Sequence, residues 1–233
     1  MIKDFTTYIN EGLFDRNQSE FNIRKTDKGI EQVYIPKTEN ELCEYIKLDI
    51  EQAKKDGTYP NVNLNNIDVS EVKKLRDNIF EYLFGDFKDA FDIVPDISNW
   101  NINKLPEHFF ENNDNIREFI IPDGIVSIGE CAFFRCENLT SITIPNSVRR
   151  IGNRAFYYCS GLTSITIPDS VKVIEWSAFE GCSELTSIVI PNSVIDIGRY
   201  TFAECSKLKL ISLPKECNMG FSPTDEDCKI IKR

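Results

Sequence analysis

The chain has 233 residues, of which 41% are hydrophobic, so it is long enough and apolar enough to bury a core of its own. Its formal net charge of -10 argues against nucleic acid as a partner, because binding to phosphates requires a basic face. No leader-like segment opens the sequence, and no apolar run approaches the roughly 18 residues that span a bilayer. We therefore expect no membrane insertion, and a cytoplasmic location unless the natural chain is longer or is exported by another route.

Residues 1–62 predict a small α/β cap. The segment EQVYIP, at 31–36, has the pattern of a strand. A helix is expected over 38–57, where apolar residues recur at helical spacing, Thr38 can serve as the N-cap and Gly57 ends the element. A stacked repeat domain needs such a cap, because an open end exposes its core and the edge of its sheet.

Residues 63–115 contain faint copies of a 23-residue unit that becomes regular further along the chain. The clearer copy begins at residue 93 and a fainter one covers 65–80. The core positions of the clearer copy are Ile93, Ile97, Ile102, Leu105 and Phe110. His108, the single histidine of the chain, lies beside this core column. We interpret it as a surface or half-buried residue and not as a metal ligand or catalytic base.

Residues 116–213 repeat with a period of 23. The units begin at Ile116, Leu139, Leu162, Leu185 and Leu208. Three columns each keep one residue type: proline at 122, 145, 168, 191 and 214, phenylalanine at 133, 156, 179 and 202, and cysteine at 136, 159, 182, 205 and 228. Because several independent columns keep one spacing, the segment is predicted to stack unit upon unit.

The unit at 139–161 has a simple physical interpretation. LTSITI alternates apolar and polar residues as a half-buried strand does, and Pro145 ends the strand because it lacks an N–H donor. Val148 and Ile151 then point inward, and Gly152 permits a tight bend. The segment NRAFYYC is predicted to be a short helical turn with Phe156 inside. Neighbouring strands, about 4.8 Å apart, should form a continuous sheet.

These units resemble the BspA-like, Treponema-type leucine-rich repeats, whose consensus is close to LxxIxIPxxVxxIgxxAFxxCxx. Residues 139–207 follow the consensus almost column for column, with Glu175 in place of the Gly and Thr201 in place of the Ala. The resemblance implies an α/β solenoid: a leucine-rich-repeat arc of mostly short parallel β-strands with short helical turns. It also implies an interaction module that binds a protein or a surface glycan, with adhesion as one use.

Residues 214–233 begin as a repeat and then degenerate, so we expect a C-terminal cap there. The recurring cysteines are interpreted as small buried hydrophobes with free thiols, since parallel side chains on adjacent rungs point the same way and do not face each other. Free thiols fit a reducing compartment or an anaerobic source. Cys43, Cys131 and Cys217 lie outside the cysteine column and are expected to be more exposed.

No residue pattern predicts a catalytic, cofactor-binding or metal site. The sequence has no C-x-x-C pair, no paired-carboxylate signature, and no Gly-rich loop before a helix. Three hypotheses remain open: a non-enzymatic interaction module, which we favour, an enzyme with an unrecognised site in the first 90 residues, and a purely structural spacer. The oligomeric state is left open.

A partner-binding surface is predicted where the units differ from one another. The outward strand positions barely vary and form a plain ladder of hydroxyl groups. The variable positions lie on the other half of the unit, where Trp176 should lie beside Asn153 and Arg199 of the adjacent units. Clusters of Trp, Tyr and Arg are typical of interface hot spots. The candidate residues are Arg149, Arg150, Arg154, Tyr157, Tyr158, Trp176, Arg199 and Tyr200.

Overall fold

The computed structural model describes residues 21–26, 29–34, 54–57, 61–63, 94–97, 102–220 and 228–233. The strands of these residues are β1 (Phe21–Thr26), β2 (Gly29–Tyr34), β3 (Asn61–Asn63), β4 (Val94–Asp96), β5 (Lys104–Leu105), β6 (Glu118–Ile120), β7 (Ser127–Ile128), β8 (Ser141–Thr143), β9 (Arg150–Ile151), β10 (Val173–Ile174), β11 (Ser187–Val189), β12 (Asp196–Ile197), β13 (Leu210–Leu213), β14 (Asn218–Met219) and β15 (Lys229–Lys232). From β5 onward they form a parallel solenoid, so the predicted fold class is confirmed.

One side of the solenoid is a continuous six-stranded sheet in the order β5-β7-β9-β10-β12-β14. Each step from β5 to β12 pairs residues 23 positions apart, as in Ile128 with Ile151. In the unit at 139–161 this sheet contains Arg150 and Ile151. From the sequence we expected Ile151 to point inward but did not predict a strand there. We expected the LTSITI strands to form the continuous sheet. The continuous sheet instead lies on the opposite half of the unit.

The LTSITI column forms a sheet that is interrupted. Strands β6 and β8 pair with each other, and β11, β13 and β15 form a separate sheet, whereas residues 164–166 between them are not a strand. The expected alternation still holds, because Ile142 and Ile188 are buried while the hydroxyl residues beside them are exposed. The continuity predicted for this sheet is therefore wrong at one rung, at residues 164–166.

The core is a stack of columns, with the phenylalanine column at its centre. Phe133, Phe156, Phe179 and Phe202 are all fully buried. Their rings stack nearly parallel at centroid distances of 5.2, 5.3 and 6.0 Å, and Phe110 extends the ladder at 5.1 Å from Phe133. The degenerate copy that begins at residue 93 joins this core, since Ile97, Leu105 and Phe110 are buried.

The turns that follow the six-stranded sheet are not helical, which corrects one expected detail. Two residues of each turn, four positions apart, have positive φ: Arg154 (51°) and Tyr158 (54°) in one unit, Ser177 (54°) and Gly181 (76°) in the next. L-residues in this left-handed region do not continue a right-handed helix. Within 102–220 and 228–233 no residue is α-helical, and the predicted N-terminal helix is described only at its end, over 54–56, before Gly57 (φ 72°).

The cysteine column carries buried thiols that bond to the backbone. In Cys136, Cys159, Cys182 and Cys205, Sγ donates to the carbonyl oxygen of the phenylalanine 26 residues earlier, at 3.0 to 3.2 Å. Burial raises the pKa of the Cys136, Cys159 and Cys182 thiols. The predicted packing role and free state are confirmed for the four.

The exposure expected for two other cysteines is wrong. Cys131 and Cys217 are only 6% and 4% exposed, and Cys43 lies outside the described residues. Cys131 occupies a left-handed position of the turn (φ 54°). Burial and the carboxylates of Glu111 and Glu130 raise its pKa to about 12.

Strands also appear at both ends of the regular units. β2 covers Glu31–Tyr34 of the predicted strand and pairs antiparallel with β1, and β3 pairs with β4 in parallel. At the other end, β14 extends the six-stranded sheet and β15 pairs with β13. The fainter copy predicted at 65–80 lies outside the described residues.

Candidate interaction surface

Four of the predicted residues meet on the turns beside the six-stranded sheet. The guanidinium carbon of Arg154 lies 4.3 Å from the centroid of the Trp176 ring and 5.8 Å from that of Tyr157. Tyr157 and Tyr158 contact each other at 4.7 Å between centroids. Trp176 remains 39% exposed, so these groups form a surface that solvent reaches.

Two residues that the sequence analysis missed extend this cluster. Phe134 stacks on Tyr157, with centroids 4.9 Å apart and planes 8° apart. The guanidinium of Arg135 lies 5.8 Å from the Phe134 centroid and 5.9 Å from the Tyr158 centroid. Both residues stand 23 positions before the two tyrosines, so the repeat register itself could have identified them. We call Phe134, Arg135, Arg154, Tyr157, Tyr158 and Trp176 the arginine–aromatic edge.

Tyr158 is held across two further rungs. Its ring lies where a side chain at position 181 would project: a Cβ built on Gly181 would come within 2.6 Å of the ring. Its hydroxyl donates a hydrogen bond to the carboxylate of Glu204. Chiefly because of that bond, the pKa of Tyr158 is raised to about 12. The tyrosine is therefore a fixed part of the surface.

Arg150 is tied to Glu175, the residue that replaces the glycine of the repeat. Nε of Arg150 donates to Oε1 of Glu175 at 2.7 Å, and the other carboxylate oxygen accepts from the backbone N–H of Asn153 at 3.1 Å. Arg149 turns away, because one of its guanidinium nitrogens donates to the carbonyls of Asn146 and Ser147 at 2.8 and 3.0 Å. The charge of Arg150 is thus already compensated.

Trp176, Asn153 and Arg199 lie side by side, as expected from their register. Their carbonyl oxygens each accept a hydrogen bond from an N–H of the preceding rung, at 2.9 Å in all three cases. Arg199 and Tyr200 are exposed on the next rung, but no side-chain contact joins them to the edge among the described residues. The structure therefore unites four of the eight predicted residues and places the others around them.

The two arginines of the edge differ from Arg150, which is paired with Glu175. Arg135 and Arg154 form no ion pair with any carboxylate in the described part of the chain. Each instead lies beside two aromatic rings, within the distance range of cation–π contacts. Their guanidinium N–H groups are available donors for an anionic ligand.

Other candidate chemistry is sparse in the described part of the chain. His108 contacts Glu111, with 2.5 Å between Nδ1 and Oε2, in the left-handed conformation of its column. No group of three or more His, Cys, Asp or Glu residues is placed there to hold a metal ion. None of the described helical residues belongs to a helix with the length and hydropathy of a membrane span.

Several solved bacterial leucine-rich repeat proteins are similar to this chain. The T. pallidum leucine-rich repeat protein is 19% identical, with a TM-score of 0.44, over 88% of this chain and 80% of that chain. A leucine-rich cell surface protein from Faecalibacterium prausnitzii is 22% identical, with a TM-score of 0.47, over 72% and 52%. The pneumococcal vaccine antigen PcpA is 20% identical, with a TM-score of 0.45, over 63% and 45%.

No curated protein matches the chain. The family model of the BspA type leucine rich repeat region matches residues 103–222 in 6 copies, which is more than half of the sequence. Its six copies span the same rungs that the parallel strand pairs define. The chain belongs to the family of BspA-type leucine-rich repeat proteins.

Proposed function

We propose that this chain is a non-enzymatic interaction module whose arginine–aromatic edge binds a carboxylate-bearing segment of a partner protein. The observation that carries the proposal is the state of Arg135 and Arg154. Each guanidinium carbon lies 4.3 to 5.9 Å from the centroids of two aromatic rings, and neither group has a carboxylate partner among the described residues.

Stacking prepares an arginine for binding a carboxylate. A guanidinium whose side chain is already ordered loses little conformational entropy when a ligand arrives. Its planar N–H groups match the two oxygens of a carboxylate, and such charge-assisted pairs are the stronger hydrogen bonds. The rings of Trp176 and Tyr157 add apolar area beside the charges, as interface hot spots do.

The same contacts favour an acidic protein segment over a neutral glycan. A sugar would stack on an open ring face, but Arg154 covers one face of Trp176 and Phe134 covers one face of Tyr157. A polyanion such as nucleic acid is disfavoured by the net charge of -10. Adhesion, which the family resemblance implies, would be this binding directed at a protein on another surface.

The test measures binding of a fluorescein-labelled hexaglutamate peptide by fluorescence anisotropy at low and high salt. Arg135→Ala and Arg154→Ala should each weaken binding by about three- to tenfold, and added salt should weaken it further. Arg149→Ala is the matched control, since Arg149 is equally cationic but bonds to its own loop. Its affinity should equal that of the wild type.

Two results would contradict the proposal. If Arg149→Ala weakened binding as much as Arg154→Ala, the effect would be one of overall charge and not of the edge. If lactose or sialyllactose bound with the same dependence on Arg154 while hexaglutamate did not bind, the partner would be a glycan.

A further inference from the structure

Strand β15 has a free edge among the described residues. It is the last strand of the sheet β11-β13-β15 and pairs with β13 alone. The N–H groups of Lys229 and Arg233 donate to carbonyl oxygens on the β13 side, at 3.0 and 2.9 Å, and Arg233 O accepts from Lys215 N at 2.8 Å. Every second residue of a strand bonds to the same neighbour, so the backbone groups of Ile230 and Lys232 point away from β13. In the described part of the chain, no hydrogen bond reaches these groups.

The side chain of Ile230 continues a core column but is not covered as the other members are. Ile230 pairs with Ile211, which pairs with Ile188 of the rung before, and these two are 0% and 2% exposed. Ile230 itself is 42% exposed, and Ile231, on the opposite face of the strand, is 38% exposed. The edge therefore presents unpaired main-chain groups together with apolar surface on both faces, which is the combination that accepts a further strand.

The charges of β15 select among possible strands. The strand reads KIIK and is followed by Arg233, so it carries cations at both ends and no acidic residue. Lysines on an edge strand oppose pairing with a strand of like charge. If two copies of β15 paired with isoleucine opposite isoleucine, lysine would lie opposite lysine, and like charges in that position are destabilising. A second copy of this chain is therefore disfavoured, and a strand with acidic residues at the matching positions is favoured.

We propose that the free edge of β15 binds an extended acidic segment of a partner protein, which adds as the next strand of the sheet. Main-chain hydrogen bonds to Ile230 and Lys232 give affinity in this mode of recognition, and the side chains beside them give specificity. Apolar residues of the segment pack on Ile230 and Ile231, and carboxylates lie opposite Lys229 and Lys232. Because KIIK reads the same in both directions, a segment of the pattern acid–apolar–apolar–acid matches it in either orientation.

Binding is tested with a capped, fluorescein-labelled peptide, GSEVVESG, by fluorescence anisotropy on the 233-residue protein. The peptide should bind at least about tenfold more tightly than its charge-reversed counterpart GSKVVKSG. Amide exchange followed by NMR gives the position of the peptide. The peptide should slow exchange of the Ile230 and Lys232 amides, which face outward, more than that of Ile231, which faces β13. This site is separate from the arginine–aromatic edge, and neither proposal depends on the other.

N-methylated peptides test the main-chain bonds without changing the protein. In one peptide the first Glu and the second Val of EVVE are N-methylated, and in the other the first Val and the second Glu. Alternate N–H groups of an added strand face the same neighbour. One of the two peptides should therefore lose at least about tenfold in affinity, whereas the other, whose methyl groups point to solvent, should bind as the parent peptide does.

Variants of the protein test the same contacts from the other side. Ile230→Pro removes only an outward N–H, a change that edge strands tolerate, and should weaken binding of GSEVVESG at least about tenfold, whereas Ile230→Val should not. Lys229→Glu with Lys232→Glu should reverse the preference, so that GSKVVKSG binds better. Arg149→Glu with Lys172→Glu is the matched control, because it makes the same change of charge at exposed positions outside β15 and should leave the preference unchanged.

Three outcomes would refute the proposal. Equal affinity of the parent peptide and both N-methylated peptides would show that main-chain bonds do not hold the segment. Equal effects of the two charge-reversing double variants would show that overall charge, and not β15, determines binding. Concentration-dependent dimerisation of the wild type that Ile230→Pro abolishes would make a second copy the occupant. Arg154→Ala should leave binding of GSEVVESG unchanged, so failure of this proposal is distinguishable from failure of the proposed function.

Discussion

Replacing Phe156 with alanine tests how much a central residue of the stacked core contributes to the free energy of unfolding. The side chain is fully buried, and its ring stacks between Phe133 at 5.2 Å and Phe179 at 5.3 Å. A buried Phe→Ala change costs about 3–5 kcal/mol of unfolding free energy, because apolar contacts are lost and a cavity remains. The neighbouring rungs hold the cavity open on both sides, so we expect the upper half of that range.

Phe202 provides the matched comparison. It is also fully buried, and its ring lies 6.0 Å from that of Phe179, a wider spacing than those around Phe156. Because this wider spacing gives weaker contacts and Phe202 lies nearer the end of the regular units, Phe202→Ala should cost less than Phe156→Ala. Urea unfolding followed by circular dichroism measures both. Equal losses, or losses below about 1 kcal/mol, would show that the ladder is not the core of a coupled stack.

The remaining predictions concern the thiols and Tyr158. A thiol reagent should leave the buried cysteines at 136, 159, 182 and 205 unmodified in the native protein, and rapid labelling of all of them would contradict the thiol-to-carbonyl bonds. Absorbance at the tyrosinate band should show one phenol titrating near 12, and Glu204→Gln should lower that pKa towards its ordinary value of about 10. Because the native pKa is the higher one, this stabilisation is complete below about pH 10 and is lost as the pH rises through 12. Gly181→Ala should destabilise the protein by about 1–2 kcal/mol through its positive φ and its contact with Tyr158, and less in a Tyr158→Ala background.

The repeat columns predicted the solenoid because a residue type that recurs at one position of every unit indicates that this position is buried in the same way in each unit. Proline, phenylalanine and cysteine at a fixed period require that the same positions meet the same surroundings in every unit. The register that follows from the period also placed Trp176 beside Asn153 and Arg199. The repeat period therefore predicts the scaffold, and it predicts which residues of adjacent rungs are neighbours.

Backbone conformation within the turn could not be predicted in this way. The two left-handed positions are occupied mostly by ordinary residues, such as Cys131, Arg154 and Tyr200, and not by the glycines that usually indicate positive φ. Hydrogen bonds between rungs stabilise this conformation: Arg154 N donates to Trp176 O at 2.9 Å and Tyr158 N donates to Glu180 O at 2.7 Å. Hydrogen bonds between stacked rungs thus override the preference of non-glycine residues for negative φ, which is the only preference that the sequence shows.

The arginine–aromatic edge follows from departures from the repeat at two positions. Where other units have the glycine, Glu175 binds Arg150 and the N–H of Asn153, and so compensates one arginine of the surface. Where other units have a side chain in the second left-handed position, Gly181 has none, and the Tyr158 ring lies across it to reach Glu204. Each departure alone reads as a minor deviation from the consensus. Together they fix Arg150 and Tyr158 beside Arg135 and Arg154, which have no carboxylate partner among the described residues and on which the functional proposal depends.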